Sequence, residues 1–333
     1  MIAKAASTED RTLVTIGIAV FNAADTVERA VKSALAQTWR PIEIVVVDDF
    51  SDDGTQDTLA RLVEGHPENR LLLEDKNRGV AATRNRIIEE AQGEFLAFFD
   101  GDNESHPERI TCQVERITTY ERAFSNGAPV ICHTARRQLF SGGSQQVALT
   151  MGTRQNAPGP AGWAVAERIL IGTPLKDGYG ACATCSQMAR TSLYRDLGGF
   201  DPAFRRSEDT EIAVRLAKAG GHFVGIAEPL VDQFMTRTSD KNLRDERGFT
   251  IKLLEKHRDV ADRRGLFEFC RSWIEIKQAW LEDRQVDFVR KTMLLACRHP
   301  LQTLRRLALA VRNVRLNAAF GRFMRPATNT RHG

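Results

Sequence analysis

The first hundred residues alternate continuous apolar runs with longer amphipathic stretches. The runs have the length and β-branched content of buried strands, and the stretches have the period of helices. Strands are therefore predicted at residues 13–20, 42–47, 71–73 and 95–99, and helices at 27–35, 55–63 and 80–91. Strands and helices in this order predict an α/β fold with a doubly wound, mostly parallel sheet.

The second half of the chain is less regular. Residues 136–174 are rich in Gly, Ser, Gln and Pro, which predicts hairpins and a mobile loop. A helix at 207–221 and a strand at 222–229 follow, and helical periodicity continues from about residue 238 with a break at Pro300. We expect a flexible N-terminus over 1–12, an α/β domain over 13–240 and a basic helical extension over 241–333.

Charge is distributed unevenly along the 333 residues. The formal net charge is only +4, yet residues 284–333 contain eleven Lys or Arg and one acid, Asp287. The remainder of the chain is therefore acidic. An acidic body with a basic tail favours an anionic partner at the tail and argues against binding of nucleic acid.

The sequence gives no sign of export or of a membrane span. Its first residues, MIAKAASTEDR, lack the apolar core of a secretory signal. No apolar run approaches the ~20 residues that a spanning helix needs. We therefore expect a cytoplasmic protein.

Polar clusters follow three of the predicted strands. In doubly wound sheets, ligands bind beyond the carboxyl ends of the strands. The residues expected at those ends are Phe21, Asn22, Asp48, Asp49, Asp100, Gly101 and Asp102. The sequence thus predicts a ligand site at this edge of the sheet.

Two of these clusters contain paired acids. Asp100 and Asp102, in FFDGDN, can hold Mg²⁺ or Mn²⁺ together with substrate phosphates, and a strand-end turn with a helix cap is the alternative. Asp48 and Asp49, in VVVDDFSDDGT, can accept hydrogen bonds from a ribose hydroxyl or a base N–H. Plain turn chemistry is the alternative for this second pair.

Two further segments begin predicted helices with charged residues. In NRGVAATRN, Gly79 opens a helix whose first turns carry Arg84, and both features favour phosphate, although an ordinary helix start is the alternative. In GGFDPAFRRSED, Glu208 and Asp209 open another helix. Acids in a first turn ordinarily complement the helix dipole, but an adjacent pair can also supply one general base.

Taken in order, the segments VTIGIAVFN, VVVDDFSDDGT, NRGVAATRN, FFDGDN and GGFDP…SED resemble the characteristic strings of glycosyltransferase family 2. The resemblance extends from about residue 14 to residue 221. It implies a GT-A catalytic domain over 13–240, a nucleotide-sugar donor and Mg²⁺ or Mn²⁺ as cofactor. It also implies that the sugar is transferred with inversion to a hydroxyl group.

The resemblance further implies a role for each matching residue. Ala19, Phe21 and Asn22 would line the donor site, and Asp49, with Asp48, would contact the base. The remaining implied roles are proximity to base or diphosphate for Arg84, proximity to the ribose for Asp100, metal binding for Asp102, and general base for Asp209 with Glu208 beside it.

The sequence departs from the family strings at four of these positions. Ala19 and Phe21 replace the usual Pro and Tyr, so a tyrosine hydroxyl contact is lost. Phe50 stands where Gly is usual, which implies a differently shaped base pocket, and Asn103 replaces a third acid without removing the inferred metal ligand. No QxxRW string follows the acid pair, which argues against a processive polymerase.

The predicted helix over 298–325 is basic and amphipathic. Its apolar stripe comprises Leu301, Leu304, Leu307, Val311, Val314 and Ala318. Such a helix can lie on an anionic membrane, which would make the protein peripheral on the inner face of the cell membrane. Packing of this helix on the catalytic domain is the alternative.

Together these patterns predict an inverting glycosyltransferase that uses a nucleoside diphosphate sugar, expected to be a UDP-sugar. The acceptor expected is a hydroxyl of a glycan or of a lipid-linked acceptor, as in bacterial polysaccharide biosynthesis. A sugar-nucleotidyltransferase is the alternative enzyme, although the first strand–helix turn lacks the Gly-rich segment with Arg and Lys that a triphosphate needs. A non-catalytic membrane-docking protein with a degenerate domain is the other alternative.

Overall fold

A computed structural model describes residues 12–66, 68–235 and 243–312 of the chain. The strands are β1 (Val14–Val20), β2 (Ile42–Asp48), β3 (Asn69–Leu73), β4 (Phe95–Asp100), β5 (Glu104–Ser105), β6 (Val130–Phe140), β7 (Gln145–Ala148), β8 (Gln187–Arg190) and β9 (His222–Met235). The helices of the first 220 residues are α1 (Val27–Leu35), α2 (Thr55–Val63), α3 (Val80–Glu90), α4 (Arg109–Tyr120), α5 (Trp163–Leu170), α6 (Thr191–Asp196) and α7 (Glu208–Lys218). The later helices are α8 (Leu243–Lys256), α9 (Arg258–Asp262), α10 (Phe267–Leu281), α11 (Gln285–Arg298) and α12 (Pro300–Arg312).

Two compact units make up the chain. The first comprises Met1–Ala166 and Pro174–Thr236, and the second comprises Glu167–Thr173 and Arg237–Gly333. The first unit contains the sheet, and the second contains the late helices. The boundaries 1–12, 13–240 and 241–333 derived from the sequence remain a proposal about functional domains.

One mixed sheet forms the centre of the first unit, with the strand order β3-β2-β1-β4-β8-β6-β9-β5 and β7 paired to β6. The β3-β2-β1-β4 half is parallel, as the strand–helix alternation predicted. Antiparallel pairs β4–β8 and β6–β8 extend it, and β6 and β9 then run parallel to each other. The predicted α/β class with a doubly wound, largely parallel sheet and C-terminal helices is confirmed.

Strand β1 lies at the centre of the parallel half and is buried on both faces, with its large apolar residues on one face and Thr15 and Gly17 on the other. Val14, Ile16 and Ile18 are fully buried in the main apolar cluster, together with residues of β2, β4, α1 and α4. Gly17 allows α3 to pack closely, since a Cβ on this residue would lie 2.3 Å from Ile87 Cγ2. The close packing of α3 on β1 places the start of α3 beside the carboxyl ends of the strands.

The segment predicted as hairpins and a mobile loop has more structure than its composition indicated. β6 and β7 form a hairpin, but α5 lies inside the predicted loop, and β9 is longer than the strand predicted at 222–229. Arg116 of α4 holds part of this segment from within the core. Its guanidinium donates to the main-chain carbonyl oxygens of Gly152 (2.9 Å), Arg154 (2.7 Å), Gln155 (3.4 Å) and Gly225 (3.3 Å).

The helices of the second unit pack around a core of their own. Leu253, Leu254, Phe269 and Ile276 are buried there, and Leu295 is the buried apolar residue of α11. Glu275 of α10 pairs with Arg247 of α8 at 3.2 Å and with Lys291 of α11 at 3.5 Å, which links three of the helices. Among the described helices, none combines the length and the apolarity needed to cross a bilayer.

Candidate active site

The polar strand ends lie at one edge of the sheet because β1 runs between β2 and β4. Ala19 is in register with Val47 on one side and with Asp100 on the other. The loops after β1 and β2 are hydrogen-bonded to each other: Asn22 N–H donates to Ser51 Oγ (2.9 Å), and Asp52 N–H donates to Asn22 Oδ1 (3.1 Å). The structure therefore brings the three predicted clusters together.

Asp48 is fully buried, and its carboxylate is used by its own loop. Oδ2 accepts hydrogen bonds from Ser51 N–H (2.9 Å) and from Gln56 Nε2 (2.8 Å), and Oδ1 accepts from Ser51 Oγ (2.5 Å). This pattern is the turn chemistry that the sequence left open for Asp48. Its direct effect is to fix the loop that carries Asp49 and Phe50.

Asp49 occupies the start of α3. Its carboxylate accepts the backbone N–H groups of Arg78 (2.7 Å) and Gly79 (2.8 Å). Burial raises the pKa of this carboxyl above its usual value, and the two N–H groups offset only part of the shift. The helix N-terminus that the sequence offered to a phosphate thus already holds an anion, supplied by the protein itself.

Arg84 lies beneath the site and joins two acids that are distant in sequence. Its guanidinium donates to Glu208 Oε1 (2.6 Å) and to Asp100 Oδ1 (3.0 Å), and only 5% of its side chain is exposed. Burial disfavours the cation, but the two carboxylates outweigh burial and raise the pKa of Arg84. The sequence analysis expected Arg84 near the base or the diphosphate; in the structure its donors are directed at Asp100 and Glu208.

Glu208 and Asp209 open α7 as predicted. Burial raises the pKa of Glu208, and the attraction of Arg84 reduces that effect. Burial also raises the pKa of Asp209, although its Oδ1 accepts from Thr210 N–H (2.6 Å) and Thr210 Oγ1 (3.0 Å). A carboxylate with a raised pKa is a stronger base than an exposed one, which suits proton abstraction near neutral pH.

The turn after β4 is held by main-chain contacts. Thr26 Oγ1 donates to the carbonyl oxygen of Gly101 (2.9 Å), and Arg29 Nη2 donates to the carbonyl oxygen of Asp102 (2.8 Å). The side chain of Asn103 turns inward, where its Oδ1 accepts Phe234 N–H (3.2 Å). These main-chain contacts hold the backbone of the turn that carries Asp102.

A preformed multi-ligand metal site is absent from the described part of the chain. Within residues 12–66, 68–235 and 243–312, no group of three or more His, Cys, Asp or Glu side chains could hold a metal ion. Mg²⁺ at phosphate-transfer sites typically uses only one or two protein carboxylates, with substrate phosphates as further ligands. The carboxylates of Asp102 and Asp100 are ligands of the type that such a cation takes.

Two exposed phenylalanines lie on the hydrogen-bonded loops. The side chains of Phe21 and Phe50 are 50% and 52% exposed, respectively. Phe50 has φ of +68°, a left-handed conformation that is costly for a bulky residue. Strained exposed residues are concentrated at functional sites. Both rings offer an apolar surface at the edge where the polar clusters meet.

Arg205 was not singled out by the sequence analysis, although it stands in the same FRRSED string as Glu208. Its side chain is exposed, its attraction lowers the pKa of Asp49, and its Cγ lies 4.0 Å from the position that a Cβ on Gly79 would occupy. An exposed guanidinium beside Asp49 is available to an anionic ligand. The two adjacent arginines were the signal in the sequence that could have identified it.

The family model for glycosyl transferase family 2 matches residues 15–185. Among curated proteins, the chain is 42% identical over 103 residues to the succinoglycan biosynthesis protein ExoO of Rhizobium meliloti, covering 31% of this chain and 29% of that protein. It is 35% identical over 115 residues to the UDP-Glc:alpha-D-GlcNAc-diphosphoundecaprenol beta-1,3-glucosyltransferase WfaP of Escherichia coli, covering 34% and 44%. The chain thus spans less than half the length of these relatives.

A solved structure extends the likeness to nearly the whole chain. The mannosyltransferase PcManGT of Pyrobaculum calidifontis, in complex with GDP-Man and Mn²⁺, superposes with a TM-score of 0.54 at 17% identity over 94% of this chain and 90% of that one. At this identity the likeness concerns the fold. The family match over residues 15–185 and the strand-end geometry agree, and the chain belongs to glycosyl transferase family 2.

Proposed function

We propose that the protein transfers a sugar from a nucleoside diphosphate donor to a hydroxyl acceptor with inversion at the anomeric carbon. The observation that supports this most strongly is the pair of ion-pair contacts of Arg84. They place the acid pair at the start of α7 and the strand-end acid Asp100 around one buried guanidinium. A base and a donor-binding edge are thus held in one site.

Asp209 is the proposed general base. Its carboxylate takes the proton of the acceptor hydroxyl, the acceptor oxygen forms a bond to the anomeric carbon, and the bond to the diphosphate oxygen breaks on the opposite face. A single displacement of this kind inverts the configuration. A positioned base contributes about 10² to 10⁴ in rate. Glu208, held by Arg84, keeps a second negative charge beside Asp209 and supports its basicity.

The donor is proposed to be a UDP-sugar, since the relative WfaP has UDP-Glc in its name. Its base would lie at the loops of Phe21, Asn22, Asp48 and Asp49, with the rings of Phe21 and Phe50 as apolar surface, and its ribose would lie near Asp100. Arg205 is proposed to meet the diphosphate, because it is exposed whereas Arg84 is committed to two carboxylates.

Mg²⁺ or Mn²⁺ is the proposed cofactor, with Asp102 as its protein ligand and Asp100 nearby. The solved relative PcManGT contains Mn²⁺, which supports this choice. When bound, the cation would neutralise negative charge that develops on the leaving diphosphate. The fixed backbone of the turn, held by Thr26 and Arg29, would keep the Asp102 carboxylate in place for that ligand.

The acceptor is proposed to be a glycan or a lipid-linked glycan of bacterial polysaccharide biosynthesis. The relative ExoO is named for succinoglycan biosynthesis, and WfaP is named for a diphosphoundecaprenol-linked acceptor. We propose a cytoplasmic protein whose 298–325 segment meets an anionic membrane surface. Of that segment, the structure describes residues 298–312, and Val314 and Ala318 of its predicted stripe lie outside the described residues.

The test is release of nucleoside diphosphate from UDP-, GDP- and dTDP-sugars by the purified protein, with Mn²⁺ or Mg²⁺ and again with EDTA. We expect metal-dependent release from one donor class. Calorimetric titration of each donor accompanies the assay. Release of pyrophosphate from a sugar phosphate and a nucleoside triphosphate would establish a sugar-nucleotidyltransferase instead, and failure to bind any donor would leave the non-catalytic docking protein.

A further inference from the structure

Helix α11 exposes an apolar face that the sequence analysis did not identify. Val286, Val289, Met293 and Leu294 follow one another at helical spacing, and their side chains are 82%, 47%, 65% and 53% exposed. Cys297 continues the same exposed stripe. Leu295 is the buried apolar residue of the helix, so most of its apolar side chains point away from the core of the unit.

Helix α12 has a second exposed stripe. Leu301, Leu304 and Val311 are 64%, 66% and 69% exposed. The sequence predicted these three residues as one apolar stripe, and the structure shows that this stripe is not the one that packs on the unit. Thr303 is instead the buried residue at the start of the helix. We call the exposed residues of both helices, Val286, Val289, Met293, Leu294, Leu301, Leu304 and Val311, the α11–α12 surface.

Cations accompany this surface, and acids are nearly absent from it. Arg290, Arg298 and Arg305 are exposed on the same two helices. Asp287 is the one acid in the sequence between residues 284 and 312, and it is paired with Arg284 and, at 3.7 Å, with Arg290. Arg298 and Arg305 make no ion pair with any described residue. Apolar side chains interspersed with arginines are complementary to a partner that has an apolar interior and an anionic boundary.

A small cavity beside α11 adds a feature of the same kind. It has a volume of about 220 Å³ and is lined by Ser272, Glu275, Lys291, Leu294, Leu295 and Arg298. Two cations, one carboxylate and two leucines line this opening on the second unit, and Lys291 is already paired with Glu275. Arg298, next to Leu294 in the lining, is the cation of this opening that suits a lipid phosphate.

We propose that the α11–α12 surface docks in the interface of an anionic lipid bilayer. The apolar side chains enter the acyl boundary, and Arg290, Arg298 and Arg305 meet lipid phosphates. A second copy of the chain fits less well, because a two-fold contact would bring the same arginines of both copies together. The proposal concerns docking and extends the proposed function from the 298–325 segment to a surface that begins at Val286.

The experiment uses the full-length protein with an environment-sensitive fluorophore on Cys297, which is exposed within the α11 stripe. Cys112 and Cys182, the other accessible cysteines, are replaced by serine, and Cys132, Cys185 and Cys270 are buried. The probe is titrated with vesicles of phosphatidylcholine and with vesicles that contain about one-third phosphatidylglycerol. We expect a blue shift and binding at least tenfold tighter with phosphatidylglycerol. Equal or absent binding to the two compositions would overturn the proposal.

Variants separate the two components of the surface. Vesicle sedimentation of unlabelled protein measures the binding of each variant. Met293→Asp with Leu294→Asp should abolish binding. Arg298→Gln with Arg305→Gln should weaken binding about thirtyfold, because each arginine near an anionic surface is expected to strengthen binding roughly fivefold. Val147→Asp, at an exposed apolar position of β7, is the matched control and should bind as the parent protein does. Unchanged binding by either double variant contradicts the proposal.

Two further readouts distinguish the competing explanations. Sedimentation velocity without lipid reports a monomer if the surface is free, whereas a dimer abolished by Met293→Asp with Leu294→Asp would assign the surface to a second copy. Nucleoside diphosphate release in vesicle-free buffer reports the proposed function separately. A protein that turns over donor and ignores anionic vesicles therefore overturns the docking proposal only.

Discussion

The Arg84 guanidinium donates to the Glu208 carboxylate across 2.6 Å, although 124 residues separate them in the chain. The Arg84 side chain is buried, and the same guanidinium also holds Asp100. Arg84 thus connects α3 to α7, the helix that carries the proposed base. Its position explains why an arginine within a nucleotide-binding string need not touch the nucleotide.

Replacing Arg84 with Met should lower the free energy of unfolding by about 3 kcal/mol, because it leaves two partly buried carboxylates without their cation. Urea unfolding measures the change. Arg86→Met, on the same helix but with a half-exposed side chain, is the control and should stay within about 0.5 kcal/mol of the parent protein. A loss for Arg84→Met as small as that of the control would show that the ion pairs contribute little.

Replacing Arg205 with Gln should weaken binding of UDP or of the preferred nucleoside diphosphate at least tenfold while leaving the melting temperature unchanged. The reason is that Arg205 is exposed beside Asp49, so its charge is available to a ligand and its loss leaves no buried partner. Isothermal titration provides the affinity. Arg61→Gln, an exposed arginine on α2, is the control. Unaltered affinity in Arg205→Gln would mean that a residue other than Arg205 contacts the diphosphate.

Replacing Asp209 with Asn should reduce turnover by about 10² to 10⁴ while preserving donor affinity, because the amide cannot accept the acceptor proton. Initial rates at saturating donor, together with a titration of the donor, separate the two effects. Glu211→Gln is unsuitable as a control since Glu211 is buried with Arg215; Asp57→Asn on α2, an exposed first-turn acid, is matched in chemistry. Near-normal turnover in Asp209→Asn would remove it as the base.

The raised pKa values of Glu208 and Asp209 also predict how stability changes with pH. Both carboxyls hold their protons more firmly in the folded protein than at the ordinary values of 4.5 and 3.8, so folding is favoured at low pH and stability falls as pH rises through the raised values. Asp209→Asn removes one of these charges. It should melt at a higher temperature than the parent protein at pH 7, with the difference shrinking below pH about 4. If the difference in melting temperature instead grew on acidification, folding would lower the pKa of Asp209 and not raise it.

Replacing Phe50 with Gly should move stability and ligand affinity in opposite directions. The left-handed φ of +68° costs a side-chain-bearing residue about 1 kcal/mol or more, which Gly avoids, so the melting temperature should rise. Loss of the ring should weaken donor binding severalfold. Asn126→Gly, at φ of +49° away from the strand ends, is the control and should leave donor affinity unchanged. Higher stability with intact affinity would show that Phe50 has no part in the base pocket.

Replacing Asp102 with Ala should abolish the gain in donor affinity that Mn²⁺ or Mg²⁺ provides, and EDTA should reproduce this loss in the parent protein. Thr26 and Arg29 hold the turn through carbonyl oxygens, so the backbone should persist without the carboxylate. Donor titrations with and without metal measure the effect. Asn103→Asp, which retains the oxygen that accepts Phe234 N–H, should keep the metal dependence. Unchanged metal dependence in Asp102→Ala would contradict its role as ligand.

The sequence allowed the parallel half of the sheet to be predicted almost residue by residue. Short continuous apolar runs such as 42–47 fit few structures other than a buried strand, and β2 was observed at Ile42–Asp48. Helix α5 was missed because Gly and Pro residues on both sides of it matched a loop, and its eight residues, about two turns, were too short for a distinctive apolar period. The length of β9 depended on its pairing with β6, which no local pattern reports.

The residues of the candidate site could be predicted from the sequence, but their hydrogen-bond and ion-pair partners could not. The strand-end order placed Asp49, Asp100 and Asp102 at one edge, because parallel strands share their carboxyl ends. The contacts of Asp49 with the start of α3, and of Arg84 with Glu208, depend on tertiary packing across many residues. For α12, the helical wheel identified an apolar stripe, but only the fold shows which stripe faces outward.

The four hydrogen bonds of Arg116 have a consequence for how this protein can diversify. All four acceptors are carbonyl oxygens of the main chain, so these bonds do not depend on the side chains of Arg154 and Gln155. Gly152 is different, because it has φ of +76° and a Cβ on it would lie 2.2 Å from the carbonyl oxygen of Phe223. A segment that keeps this glycine and differs at the other positions could follow the same path and still be held by the same guanidinium. Sequence change in this segment is thus compatible with the fold as long as Arg116 and Gly152 are retained.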